Sequence, residues 1–188
     1  MRDKIKDIFL ENIRIKEELM QKNIAQIIGV ADIIIDSLKK NGKVIIFGNG
    51  GSASDAQHIA AEFVGRVKKD RHAMAAIALT TNTSVLTSLA NDYGYEVVFA
   101  KQVEALGQKN DVAIGISTSG KAKNVSAGIR QAKKMGIKTV ALTGGDGGEL
   151  SKLADVSLLI PSSATARIQE AHITVGHIIC ELVEEALC

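Results

Sequence analysis

The sequence has no tryptophan, and aromatic residues make up only 3% of its 188 positions. Proteins that hold single-stranded nucleic acid stack bases on aromatic side chains, so the parts for such a platform are missing. An excess of one charge is missing too, since 23 Lys+Arg stand against 21 Asp+Glu for a net +2. That balance gives no electrostatic reason to expect a nucleic-acid or membrane partner. No run approaches the ~18 apolar residues that span a bilayer. The first twenty residues interleave charged and apolar groups, so no signal peptide is expected. The two cysteines, Cys180 and Cys188, fit no CxxC or zinc-finger spacing and read as thiols of a reducing compartment, the cytoplasm. The one proline, Pro161, cannot mark a domain boundary alone, and a single domain over 1–188 is expected.

What is present is a change of period. Over residues 1–40, Ile5, Ile8, Phe9 and Leu19, then Ile24, Ile27, Ile28, Ala31, Ile34, Ile35 and Leu38 recur at helical steps, until Asn41-Gly42 stops the pattern. This predicts one or two helices, an arm that packs on the domain and on another subunit. Short, continuously apolar runs follow at Lys43–Phe47, Met74–Leu79, Val112–Ile116, Lys138–Leu142 and Val156–Ile160. Helical segments separate them, at about 53–67, 83–90, 95–107, 122–135 and 147–154, and a last one covers about 164–187. The pattern predicts an α/β fold in three layers, a five-stranded parallel sheet covered by helices on both faces. Ligands of such sheets sit beyond the carboxyl ends of the strands.

Two of those ends suit an anion. The first strand runs into Gly48-Asn49-Gly50-Gly51-Ser52 and directly into a helix, whose unpaired N–H groups and dipole favour negative charge. The third ends in Ser117-Thr118-Ser119-Gly120, again before a helix. One hydroxyl there would be an ordinary helix cap, whereas three in succession make a phosphate cradle. Gly48, Gly50 and Ala53 also satisfy the dinucleotide fingerprint, but the second strand ends Leu79-Thr80-Thr81-Asn82 with no carboxylate for a ribose. No P-loop occurs, so a monophosphate fits better than a triphosphate. The fourth strand's Thr143-Gly144-Gly145-Asp146-Gly147-Gly148 receives no role.

His58 and Glu62 lie four apart in the first crossover helix and share a face, as two metal ligands or an acid–base pair would. Gln169 and His177 lie eight apart in the last helix, about 80° around the axis and about 12 Å along it. One metal is difficult to bridge from both on a straight helix. They act at one ion either from different subunits or from a distorted helix start near Gln169. His172 reads as structural. Asn91-Asp92 reads as a turn that could also hold sugar hydroxyls.

In this order, Gly48-Asn-Gly-Gly-Ser52, His58-x-x-x-Glu62, Asn91-Asp92, Ser117-Thr-Ser-Gly120 and Arg167-Ile-Gln-Glu-x-His172 resemble the sugar isomerase (SIS) domain. Within it, they resemble the isomerases of seven-carbon sugar phosphates over essentially the whole chain. The resemblance implies that Ser52, Ser117, Thr118 and Ser119 hold a phosphate, and that Asn49, Gly50, Gly51, Asn91 and Asp92 line the sugar. It implies Glu62 as general base, His177 as its acid–base counterpart, and His58, Glu62, Gln169 and His177 around one zinc ion. It also implies a homotetramer with sites between subunits, and conversion of sedoheptulose 7-phosphate to D-glycero-D-manno-heptose 7-phosphate through an enediol, supplying heptose for surface polysaccharide. The chain departs from the family at Ala122, where a serine is frequent. A lost hydrogen bond to a charged group is worth about 1.5–3 kcal/mol. The rival reading is a non-catalytic SIS module that binds a sugar phosphate or a replication initiator. Such modules lack equivalents of Glu62 and His177, which this chain has.

Overall fold

The computed structural model describes residues 1–188. Its centre is an all-parallel sheet in the order β2-β1-β3-β4-β5. The strands are β1 (Val44–Gly48), β2 (Ala76–Ala78), β3 (Val112–Ser117), β4 (Lys138–Gly144) and β5 (Val156–Ile160). Val44 sits opposite Ala76 on one side and Val112 on the other. Every residue of β1 and β3 is buried, which is why these strands read as unbroken apolar runs.

Alternate strand residues feed two cores. Val44, Ile46, Val112, Ile114, Ile116, Val140 and Leu142 face α1 (Arg2–Lys22), α2 (Ile24–Lys39), α3 (Gly51–Val64) and α8 (Thr165–Leu187). Ile45, Phe47, Ala113 and Ala141 face α5 (Val98–Leu106) and α6 (Lys123–Lys134), with Phe47 stacked on Phe99 at 5.2 Å. The remaining helices are α4 (Thr83–Tyr93) and the single turn α7 (Leu150–Leu153).

The predicted layers and the five strands are present. The N-terminal stretch is two helices that break at Asn23, whose N–H donates to Leu19 O at 2.9 Å. Four local expectations are corrected. β2 is only three residues long, pairing with β1 from Ala76 to Ala78 alone. The helix expected at 83–90 runs on to Tyr93, so Asn91-Asp92 is its last turn and not a free turn. The segment expected as helix over 95–107 opens with a 3₁₀ turn, Tyr95–Val97. The helix expected over 147–154 shrinks to four residues, since Gly145, Gly147 and Gly148 all have positive φ.

Strand order reverses between β1 and β3, one leading towards the β2 edge and the other towards β5. That crevice is where a doubly wound sheet takes its ligand. The two loops rich in glycine and hydroxyl groups leave the sheet there.

Candidate active site

The β1 and β3 loops are built as one unit. Ser52, in the first turn of α3, is buried, and its N–H closes a tight turn onto Asn49 O at 3.0 Å. Ser117 is buried at the end of β3, Thr118 is half-buried and Ser119 is exposed. Gly120 N–H donates to Ser117 O at 3.0 Å, and Lys121 N–H donates to Ser119 Oγ at 3.3 Å. The side-chain amides of Asn49 and Asn124 exchange two hydrogen bonds of 2.9 Å, tying one loop to the start of α6. Tyr95 Oη adds a donor to Asn49 Oδ1 at 3.3 Å. Two helices of more than ten residues therefore begin at the same crevice. Their free N–H groups and the hydroxyls favour an anion. Ala122 is the N-cap of α6 and supplies no side-chain bond.

Helices α3 and α8 run side by side in the same direction. Gln169 lies against Gly51, Gly176 against Ile59, His177 against His58, and Glu184 against Val67 and Lys68. A Cβ on Gly176 would fall 2.7 Å from Ile59 Cδ1, so the missing side chain lets the helices approach closely. That approach gathers His58, Glu62 and His177, whose ligating atoms all lie within 4.8 Å of one another. His58 Nε2 is 2.9 Å from His177 Nε2 and 3.2 Å from Glu62 Oε1, and His177 Nε2 is 4.0 Å from the same oxygen. Metal–nitrogen bonds of about 2 Å place two tetrahedral ligands a little over 3 Å apart. Two imidazole nitrogens and a carboxylate oxygen at these separations suit one divalent ion.

Gln169 does not join them. α8 is continuous from Thr165, so no distorted start brings Gln169 towards His177. Its amide contacts Gly51, seven residues and about 10 Å of helix before His58. Asn91 and Asp92 are exposed at the end of α4, where Asn91 Nδ2 donates to Asp92 Oδ1 at 2.8 Å. His172 is fully buried and bonds Thr143 O at 3.1 Å. Burial pushes its pKa down to about 4 against the opposing pull of that bond, so it is a neutral structural group.

Several roles leave no local mark in the sequence. Asp55 lies one turn before His58, half-buried, with Oδ2 buried and unpartnered. Burial pushes its carboxyl up to about 6, and His58 pulls it partly back. Asn124 was hidden because nothing local marks an asparagine that pairs with a loop 75 residues away. Glu184 is buried and accepts from the N–H groups of Val67, Lys68 and Lys69 and from Arg71 Nε, all within 3.0 Å. Burial alone would raise its pKa, but these donors win and hold it at about 2. Arg71 in turn donates to the carbonyls of Phe63 and Glu62 at 2.9 Å, capping α3 at the residue that carries the carboxylate. Arg167 reaches Ile8 O at 3.3 Å and Glu170 at 2.6 Å, and Glu170 accepts from Asn12, so α1 is tied to the front of α8.

Comparison with known proteins agrees with this geometry. Residues 9–144 match the SIS domain family model. The phosphoheptose isomerase of Aquifex aeolicus is 53% identical over 188 residues, covering 100% of this chain and 98% of that protein. That of Thermodesulfovibrio yellowstonii is 54% identical over 185 residues, covering 98% of this chain and 92% of that protein. Among solved structures, the phosphoheptose isomerase of Neisseria gonorrhoeae superposes with a TM-score of 0.93 at 42% identity, over 98% of both chains. That of Francisella tularensis gives 0.94 at 35% identity, over 97% of both chains. The chain belongs to the SIS domain family and, within it, to the phosphoheptose isomerases.

Proposed function

We propose that the protein interconverts sedoheptulose 7-phosphate and D-glycero-D-manno-heptose 7-phosphate, supplying heptose for surface polysaccharide. The observation that carries this reading is the convergence of His58 and Glu62, on the helix that starts at the phosphate crevice, with His177 of α8. A phosphate-binding module without chemistry needs the crevice and not the triad.

In this reading the roles are those that the family resemblance implies. Ser52, Ser117, Thr118 and Ser119 hold the phosphate, with the N-termini of α3 and α6 behind them. Asn49, Gly50, Gly51, Asn91, Asp92 and Gln169 line the sugar. Glu62 takes the proton from C1 of the ketose, and the electron pair of that C–H bond becomes the C1–C2 double bond of the enediol. His177 gives a proton to the C2 oxygen and takes one from the C1 oxygen through Nδ1, since Nε2 is the nitrogen that joins the triad. Glu62 returns its proton to C2, which leaves the aldehyde at C1. His58, Glu62 and His177 would hold a zinc ion, since imidazole and carboxylate donors suit it. When bound, zinc supplies polarisation of the substrate oxygens. A carboxylate has two oxygens, so one can face the ion while the other serves as base.

The same reading makes the chain one SIS unit in which residues 1–40 act as an oligomerisation arm. Ile5, Ile8, Phe9, Leu10 and Ile13 of α1 are exposed. A groove of about 420 Å³ between α1, α2 and α8 is lined by Leu19, Ile24, Ile28, Val175 and Ile178. A homotetramer would cover these apolar surfaces, with sites between subunits and Gln169 offered to a neighbour's ion. No helix of the chain is long and apolar enough to cross a membrane. Cys180 and Cys188 are free thiols, in keeping with the cytoplasm.

The test is to incubate the protein with sedoheptulose 7-phosphate and follow aldose formation by NMR, with and without zinc, beside Glu62→Gln. Product that disappears in the variant supports the isomerase and its base. Phosphate binding without product under any metal condition would favour the non-catalytic module.

A further inference from the structure

The glycine-rich turn after β4, Gly145–Gly148, touches no part of the triad, yet it forms the back wall of the Ser117–Gly120 loop. The two loops meet backbone to backbone. A Cβ on Gly148 would fall 2.5 Å from Gly120 O and 2.8 Å from Ser119 O, and a Cβ on Gly120 would collide with Gly147 O. Leu150 N–H donates to Gly120 O at 3.0 Å, so a hydrogen bond closes the same junction. Asp146 Oδ1 accepts from Gly148 N–H at 3.1 Å and fixes the turn from its other side. Gly120 and Gly148 have φ of 63° and 54°, where other residues are strained.

From this junction we infer that Gly148 is a positioning residue for substrate binding. It sets where Ser119 and Gly120 stand and so tunes affinity for the phosphate end of the substrate, without touching substrate itself. The inference rests on the reading that Ser117–Gly120 holds phosphate. Peptide groups packed this closely cannot yield to an added methyl, so the loop that carries the hydroxyls must move. The displacement acts on the phosphate and leaves Glu62 and His177 where they are, because those residues stand on α3 and α8.

The test compares Gly148→Ala with Gly136→Ala. Gly136 has φ of 72° and open space around it, so alanine there brings the same backbone penalty and no collision. Titration of the wild-type protein with inorganic phosphate by calorimetry establishes whether the crevice binds the anion at all. If it does, Gly148→Ala should bind inorganic phosphate about tenfold more weakly and raise KM for the sugar phosphate to a similar extent, with kcat held within about twofold. Gly136→Ala should change none of these. Unchanged phosphate affinity in a folded Gly148→Ala, or equal losses in both variants, would overturn the inference. A wild-type protein that binds no phosphate would sink the cradle reading beneath it instead. A measurement on the wild type covers the case in which Gly148→Ala does not fold. Saturating inorganic phosphate should slow hydrogen exchange at the Leu150 amide at least threefold, and phosphate binding that leaves this amide unchanged would also overturn it.

Discussion

His58 and His177, 119 residues apart in sequence, meet Nε2 to Nε2 at 2.9 Å. Two such nitrogens can share only one proton, so one ring donates and the other accepts. Each would offer its lone pair to a metal instead. Adding zinc at ~100 times its dissociation constant should therefore stabilise the protein by about 2.7 kcal/mol, read as a rise in Tm. In His177→Ala most of that rise should vanish, and an undiminished rise would place the ion elsewhere.

Glu184 and Arg71 form a buried pair that closes the far end of α3, with side chains only 2% and 3% exposed. Glu184→Ala should cost about 3–5 kcal/mol in denaturant unfolding, because it strands a buried guanidinium. A loss below about 1 kcal/mol would show that water replaces the carboxylate without difficulty.

Two groups have strongly depressed pKa values and should respond to acid. The folded pKa of Glu184 lies below its ordinary 4.5, at about 2, and that of His172 lies below 6.5, at about 4. Both depressed values mean stability that is present above the unfolded pKa and lost as pH falls through the folded one. In an Asp55→Asn background, which removes an opposing titration between pH 6 and 3.8, unfolding free energy should decline between about pH 6.5 and 4 through His172 and go on declining towards pH 2 through Glu184. His172→Gln should flatten the first decline, and an unchanged slope there would exclude His172 as its source.

Asp55 works in the opposite direction. Its folded pKa is raised from 3.8 to about 6, so its ionisation opposes folding increasingly as pH rises from 3.8 through 6. In the metal-free protein, Asp55→Asn should raise Tm at pH 8 and have little effect at pH 4. A fall in Tm at pH 8 would mean that the charge finds a partner after all.

Ala122 leaves α6 without a side-chain cap. Ala122→Ser should stabilise the protein by about 0.5–2 kcal/mol. It should also lower KM if the new hydroxyl reaches phosphate. Higher stability with unchanged KM would assign the position to capping alone.

The parallel sheet, its covered faces and the two glycine- and hydroxyl-rich loops at its strand ends were legible because each leaves a local mark. Buried parallel strands are continuously apolar, and an anion loop must put glycine and hydroxyls before a helix. The His58–Glu62 pair was legible from helical spacing. What could not be read was anything set by two helices packing together. Sequence arithmetic separates Gln169 from His177 but says nothing of Gly176, whose bare Cα brings His177 to His58. The pairing of Asn49 with Asn124 and the four-donor seat of Glu184 are likewise relations between distant segments. The β4 loop was visible as glycines, but the reason for them lies in Gly120, on another strand's loop.

The side-by-side run of α3 and α8 also constrains how the gene can vary. Gly51, Ile59 and Val67 meet Gln169, Gly176 and Glu184 in the same sequence order, with His58 against His177 beside the middle pair, like teeth on two racks. Inserting or deleting one residue in either helix would rotate every later tooth by about 100°. No compensating side-chain change could restore the match short of an equal edit in the other helix. Length variation among descendants of this chain should therefore fall outside these two stretches, in the N-terminal arm and the surface turns.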